Sequence, residues 1–180
     1  MTTSKILEDL IDSAIGTKTH FDVWWTLVSD ARRLLINSMN QHPRFFLASQ
    51  DAHYTACFVY FAHFFDKRKD SSSLPNYLTN LKNEITPDSY FMIKSQFDEL
   101  ETRAKPLLSI RHKTIAHVDI NLNKYDIFSP LEITWNDVRA IIYDTVKFVE
   151  YLAVNSNYGS TGIPRDGLMN ESTMKLINEI

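Results

Sequence analysis

Apolar residues recur at three-to-four spacing along almost the whole chain, and the stretches that interrupt this rhythm are short. Leu7, Leu10, Ile11 and Ile15 predict a short amphipathic helix over 4–15. From Phe21 to Met39, Trp24, Leu27, Val28, Ala31, Leu34 and Leu35 form one stripe, which Pro43 ends. A more densely apolar helix runs from Arg44 to about Asp66, with Phe45, Phe46, Ala52, Ala56, Val59, Phe61 and Phe64 among its positions. That density predicts the centre of a bundle. The cationic KRK that follows suits a helix C-terminus.

Start and stop signals divide the rest. Ser73 is placed to cap a short helix that tolerates Pro75 in its first turn. Thr86-Pro87-Asp88 reads as a hydroxyl cap, a first-turn proline and an acid. The helix behind it carries Phe91, Ile93, Phe97 and Leu100, and Pro106 predicts a kink or split after Ala104 before helical spacing resumes over 107–116. Residues 119–133 read as a connector with an extended piece. Thr134 and Asp137 form an acidic capping box for a last long helix, striped by Val138, Ile141, Ile142, Thr145, Phe148, Val149 and Leu152. Residues 155–167 read as a loop, followed by a weak terminal helix. The expected fold is all-α, an up-and-down bundle of five to seven helices over 1–155. Residues 156–180 add a loop and C-terminal helix packed on, or extending from, the same domain.

Composition changes this picture little. With 180 residues the chain fits one domain that buries about two-thirds of its unfolded surface. Only 4 Gly and 6 Pro are present, which favours long helices over tight-turned strands. A single cysteine, Cys57, excludes an internal disulfide and a cysteine zinc cage, and predicts a reducing compartment. The N-terminus carries no signal-peptide pattern, and the longest apolar run, Ala56–Ala62, is too short to span a bilayer. These features predict a soluble, cytoplasmic chain with no membrane partner.

Charge changes it more. A net charge of −3 argues against a protein that coats DNA. Yet no acid occurs between Glu101 and Asp119, where Arg103, Lys105, Arg111 and Lys113 lie beside His112 and His117. This local positive segment is either a solvated helix face or a phosphate footprint. Other chemistry is sparse. There is no phosphate-cradling Gly loop and no nucleophile elbow. His53 and Cys57 share metal-ligand spacing, but their apolar surroundings and the lack of further ligands favour a core or boundary role. The same holds for His63. The adjacent Trp24 and Trp25 place one ring toward the core and leave the other open to exposure, with core packing the favoured reading. No metal or cofactor is expected.

The segment Ser109-Ile-Arg-His-Lys-Thr-Ile-Ala-His-Val-Asp119 stands apart. Its RHKTIAH resembles the R-x(4–6)-H motif of HEPN domains (higher eukaryotes and prokaryotes nucleotide-binding), with Arg111 and His117 as the motif pair and the polar His112 next to the arginine. Its form is similar to that of the abortive-infection U-type HEPN-like family. Phe64-Phe65-Asp66-Lys67 followed by Asp70-Ser-Ser-Ser-Leu74 resembles the same family's helix-ending stretch. Helix order agrees, and the likeness spans most of 20–155.

The resemblance implies a HEPN-like bundle and a metal-independent endoribonuclease. His117 can move protons near neutral pH, and Arg111 keeps a charged, forked donor set for phosphate oxygens. Asp119 can orient His117 or raise its pKa, and His112 and Lys113 can add phosphate contacts. On an ideal helix, Arg111 and His117 stand about 120° apart and roughly 9 Å along the axis, so they do not converge easily on one phosphate. Either the helix bends or two chains share a site, and the resemblance implies the latter, a homodimer with a composite centre.

Other readings stay open. Arg111 can pair with Asp119 or Asp66, with His117 capping a helix end; Asp66 and Asp119 read as structural partners rather than catalytic acids. A non-catalytic HEPN module that binds nucleotide, RNA or a protein is the alternative to a toxin-like effector with RNA as substrate. A third reading has an antitoxin protein modify a tyrosine two residues after the motif histidine, but that position is Asp119 here.

Overall fold

The computed structural model describes residues 2–110, 133–156 and 158–180. Eight helices occur among them: α1 (Thr3–Val28), α2 (Asp30–Leu34), α3 (Ile36–Gln41), α4 (Pro43–His63), α5 (Leu74–Leu81), α6 (Pro87–Ile110), α7 (Trp135–Asn155) and α8 (Leu168–Asn178). No strand is found among the described residues. The chain is thus an all-α bundle, as its periodicity predicts, with α2 and α3 as short stubs of 5 and 6 residues between the long α1 and α4. The connector predicted over 119–133 lies, but for Ile133, outside the described residues. No described helix is long and apolar enough to cross a membrane.

The bundle is organised around α1, which packs against α4, α5, α7 and α8, rather than around α4 as apolar density suggests. Instead of stopping near residue 15, α1 runs unbroken for 26 residues. The polar stretch Gly16-Thr-Lys-Thr misleads because Thr17 and Lys18 are buried. Gly16 is there for proximity: a Cβ on it would stand 2.9 Å from the Tyr60 ring of α4. Helix propensity is given up to let two helices close. The helix then ends earlier than the stripe to Met39 predicts. The Ser29 hydroxyl donates to the Trp25 carbonyl at 2.5 Å, competing with the backbone, and Ser29 leaves helical geometry.

In α4, Pro43 starts the helix rather than only breaking the one before it, because a first-turn proline lacks an N–H that would be unpaired anyway. Its C-terminal half supplies Tyr54, Cys57, Phe58 and Phe61 to the core, while Phe45 and Ala52 face outward. Ser73 sits at the cap position of α5 with extended backbone, but its side chain makes no capping bond. For α6 the Thr86 hydroxyl does accept from the Ser89 N–H at 3.3 Å.

Pro106 neither splits α6 nor ends it. The carbonyl it leaves without a donor belongs to Thr102, which is exposed to water, while Ala104, Leu107 and Ile110 are fully buried and hold the helix in place. In α7 the capping box is complete: Thr134 accepts from the Asp137 N–H, and the Asp137 carboxylate accepts from the Thr134 N–H at 2.8 Å. All seven residues of its predicted stripe are buried. Gly167, at φ +84°, turns the chain into α8, a conformation that side chains with a Cβ resist. α8 lies on α1, where Ile177 joins Leu27, Ala31, Met39 and Phe46 in a second, smaller core.

Candidate functional site

The five residues singled out by sequence, Arg111, His112, Lys113, His117 and Asp119, lie outside the described residues. What is described is the frame on either side of them. Leu107 and Ile110 anchor the end of α6, both with no exposed surface. The capped start of α7 takes up the chain again at Thr134. α6 and α7 pack on each other, and Arg103 of α6 donates to Asp144 of α7 at 2.7 Å.

The second sequence match, 64–74, is a built turn docked on α6. Phe64, Phe65 and Leu74 are buried, and the Leu74 N–H bonds the Phe64 carbonyl at 2.9 Å, which closes the loop. Phe65 stacks on Phe97 of α6 with ring centres 6.2 Å apart. Asn76 braces the loop from inside, donating to the carbonyls of Arg68 and Ser71 at 2.6 and 2.7 Å. Ser72 ties it to α1 through Asp9 at 2.5 Å.

Asp66, an alternative partner for Arg111, is engaged by Arg68. The guanidinium reaches its two oxygens at 2.7–3.2 Å, and the Arg68 N–H adds a bond at 2.9 Å. The side-chain bonds from Arg68 hold the Asp66 carboxyl below its usual range, with a smaller contribution from His63. His63 is exposed, not a core or boundary histidine. It lines a cavity of about 470 Å³ with Phe65, Asp66, Lys67, Arg68 and Leu108. This cavity opens three residues before Arg111 in the chain.

A larger concavity, about 680 Å³, adjoins the same loop and shares Lys67 with the first. Lys69 and Asn80 come from its α4–α5 side, and Tyr90, Lys94, Phe97 and Glu101 from α6. Lys67 meets Glu101 at 2.9 Å, and Lys94 is bonded to Asp98. The cationic run KRK therefore lies beyond the last turn of α4, in the loop, and faces a groove instead of the helix end. Sequence reading missed this groove, although Tyr90, Lys94, Phe97 and Glu101 carry a helical-face spacing that marks it.

Elsewhere polar groups are buried for other ends. His53 pairs not with Cys57 but with His20 of α1, Nδ1 to Nδ1 at 2.8 Å, so one imidazole donates and the other accepts. Burial lowers both pKa values, and the nearby His20 lowers that of His53 further. Cys57 is buried and its thiol is pushed up by that burial, which makes it inert. No group of three or more metal-ligating side chains occurs among the described residues. Trp24 is buried and Trp25 partly so; both rings join the Phe21 cluster.

A third cluster ties α1 to α7 and to the segment before α8. Lys18 and Asp22 of α1, about 3% and 5% exposed, meet at 2.8 Å. The Tyr143 hydroxyl donates to Asp22 at 2.5 Å, and Asp166 reaches Lys18 at 3.0 Å from the surface. Burial alone would push the Lys18 ammonium down, but the bonds and charges of Asp22 and Asp166 outweigh it and hold the pKa above its usual value.

Comparison with known proteins agrees with this frame. A family model described as AbiU2, of the HEPN type, matches residues 3–169. No curated protein and no solved structure matches the chain.

Proposed function

The chain belongs to the AbiU2 family of HEPN domains, and we propose that it is a metal-independent endoribonuclease, a toxin-like effector of abortive infection or growth arrest. The observation that carries this reading is the R-x5-H segment, Arg111 to His117, inside a family match that runs through nearly the whole bundle. In the proposed reaction the RNA 2′-hydroxyl attacks the adjacent phosphorus. A base takes its proton, the P–O5′ bond breaks, and an acid returns a proton to the departing 5′-oxygen. The products are a 2′,3′-cyclic phosphate and a 5′-hydroxyl. His117 moves the protons, and Arg111 stabilises the charge that builds on the non-bridging oxygens. His112, Lys113 and Asp119 support them.

Because one helix would splay the pair, the working unit is a homodimer in which each protomer supplies part of the centre. The protein acts in the cytoplasm, where RNA is the substrate and an antitoxin protein is a natural partner for a growth-arresting enzyme.

The test is cleavage of RNA in EDTA by the purified protein, with end analysis of the fragments. Cyclic phosphate ends are expected. His117→Ala should slow the reaction about 10²–10⁴-fold and Arg111→Ala about 10²–10³-fold, while both variants keep the helical circular-dichroism spectrum. RNA binding without cleavage would leave the domain a binding module. A cleaving monomer in light scattering would end the composite-site reading.

A further inference from the structure

We propose that the groove along α6 is a binding track for single-stranded RNA, seating the nucleotides that flank the scissile phosphate. This rests on the ribonuclease reading and adds where the substrate lies. Tyr90, Lys94, Phe97, Glu101 and Leu108 follow one another at three-, four- or seven-residue intervals, so they share a face of α6. The 18 helical steps from Tyr90 to Leu108 extend the track about 27 Å. At its far end the chain enters the Arg111–His117 segment. The two cavities, about 680 and 470 Å³, lie on either side of Lys67, which lines both.

Its chemistry suits a nucleic-acid strand. Among the described residues the larger cavity is lined by three ammonium groups, those of Lys67, Lys69 and Lys94, against the single carboxylate of Glu101. This is a local inversion in a chain of net charge −3. Lys69 makes no ion pair among the described residues, whereas Lys94 is held by Asp98 in an exposed pair and the exposed Lys67 ammonium by the half-buried Glu101. Such pairs are worth little in water, so a phosphate can replace the carboxylate without a large loss. The half-buried Tyr90 ring on the wall offers a face to a base, and stacking accepts any base. Cations beside a partly accessible aromatic ring are the elements that single-strand sites use.

Binding of a fluorescein-labelled single-stranded RNA of about 12 nucleotides, followed by anisotropy in full-length His117→Ala protein, tests the track without turnover. Tyr90→Ala in that background should weaken binding about tenfold, and Tyr90→Phe should restore it. Lys69→Ala and Lys94→Ala should each flatten the dependence of log K on log salt by about 0.7. Lys175→Ala on α8 should change nothing, and thermal melts should confirm that each variant is folded. Unchanged affinity in folded Tyr90→Ala and Lys69→Ala proteins overturns the track and leaves the ribonuclease reading intact. Loss of affinity in these variants, with wild-type protein that cuts no RNA, keeps the track and removes the enzyme. Binding of a mononucleotide with the same residue dependence, and no RNA binding, makes the groove a nucleotide pocket and overturns the proposal.

Discussion

Lys18 and Lys67 each hold a carboxylate, at 2.8 and 2.9 Å, and by distance alone the two pairs are interchangeable. Their surroundings separate them. The Lys18 side chain is 4% exposed and that of Lys67 is 76% exposed. The first pair is enclosed by α1, α7 and the segment before α8, with the Tyr143 ring 4.4 Å from the ammonium and its hydroxyl on Asp22. The second lies on the wall of an open groove beside Lys69. A buried charge has no water to fall back on, so its partner is fixed and its role is architectural. An exposed charge exchanges partners cheaply, so its role is to meet something that arrives. The same chemistry therefore serves structure in one region and, in the proposed RNA track, recognition in the other, and accessibility decides which.

Breaking the buried pair should have the largest effect. Asp22→Ala leaves the Lys18 ammonium with only the exposed Asp166 carboxylate, and should cost about 3–5 kcal/mol of unfolding free energy. For a chain of this size that lowers the melting temperature by roughly 10 °C. The double change Lys18→Met with Asp22→Leu removes both charges and should recover most of the loss, because no uncompensated ion remains. If the double variant is no more stable than Asp22→Ala in urea melts, the pair is not the reason for the loss.

This cluster also marks how far the sequence can be read. The α7 stripe and its Thr134–Asp137 box were legible because both are local: periodicity and a cap three residues apart carry the information. Thr86 as the cap of α6 was legible for the same reason. The continuity of α1 was not, since Gly16 and Lys18 look like breakers until Tyr60 and Asp22 are seen against them. Nor was the passage of α6 through Pro106, which depends on the exposure of one carbonyl and the burial of Leu107 and Ile110. Of the candidate site, the Arg111–His117 pattern and the 64–74 stretch were readable as motifs. Of the groove only the α6 wall has a local spacing; its closure was not readable, because Lys67 and Glu101 are 34 positions apart and meet only once the loop docks on α6. The His20–His53 pair escaped notice similarly, with no spacing to announce it.

The His20–His53 pair lies between the two extremes, and pH separates it from both. Burial depresses both imidazole pKa values, so the unfolded chain binds protons more readily than the folded one. Stability is therefore full above the unfolded histidine value of about 6.5 and declines as pH falls below it, until the folded pKa values are passed. His53→Gln should remove much of this decline between neutral pH and the onset of carboxylate titration. The Asp9 and Asp66 carboxyls, lowered chiefly by hydrogen bonds from Lys5 and Arg68, act only further down, below about pH 4. Urea titrations from pH 7.5 to 5 that show equal slopes for wild type and His53→Gln would remove the pair as the cause.

The smallest effect on stability belongs to Lys67, and there the comparison is sharpest. Its ammonium touches Glu101 at nearly the distance that Lys18 keeps from Asp22, yet Lys67→Ala should change the unfolding free energy by no more than about 0.5 kcal/mol. Salt should leave that value almost unmoved, since there is little attraction to screen. RNA affinity should respond in the opposite order: Lys67→Ala weakens it and flattens its salt dependence, while a folded Lys18 variant leaves it unchanged. Glu101→Gln supplies the converse. It frees Lys67 and removes the only carboxylate that lines the larger cavity among the described residues, so RNA should bind more tightly at unchanged stability. A Glu101→Gln protein that melts earlier and binds no better would place Lys67 with Lys18, among the charges that build the bundle.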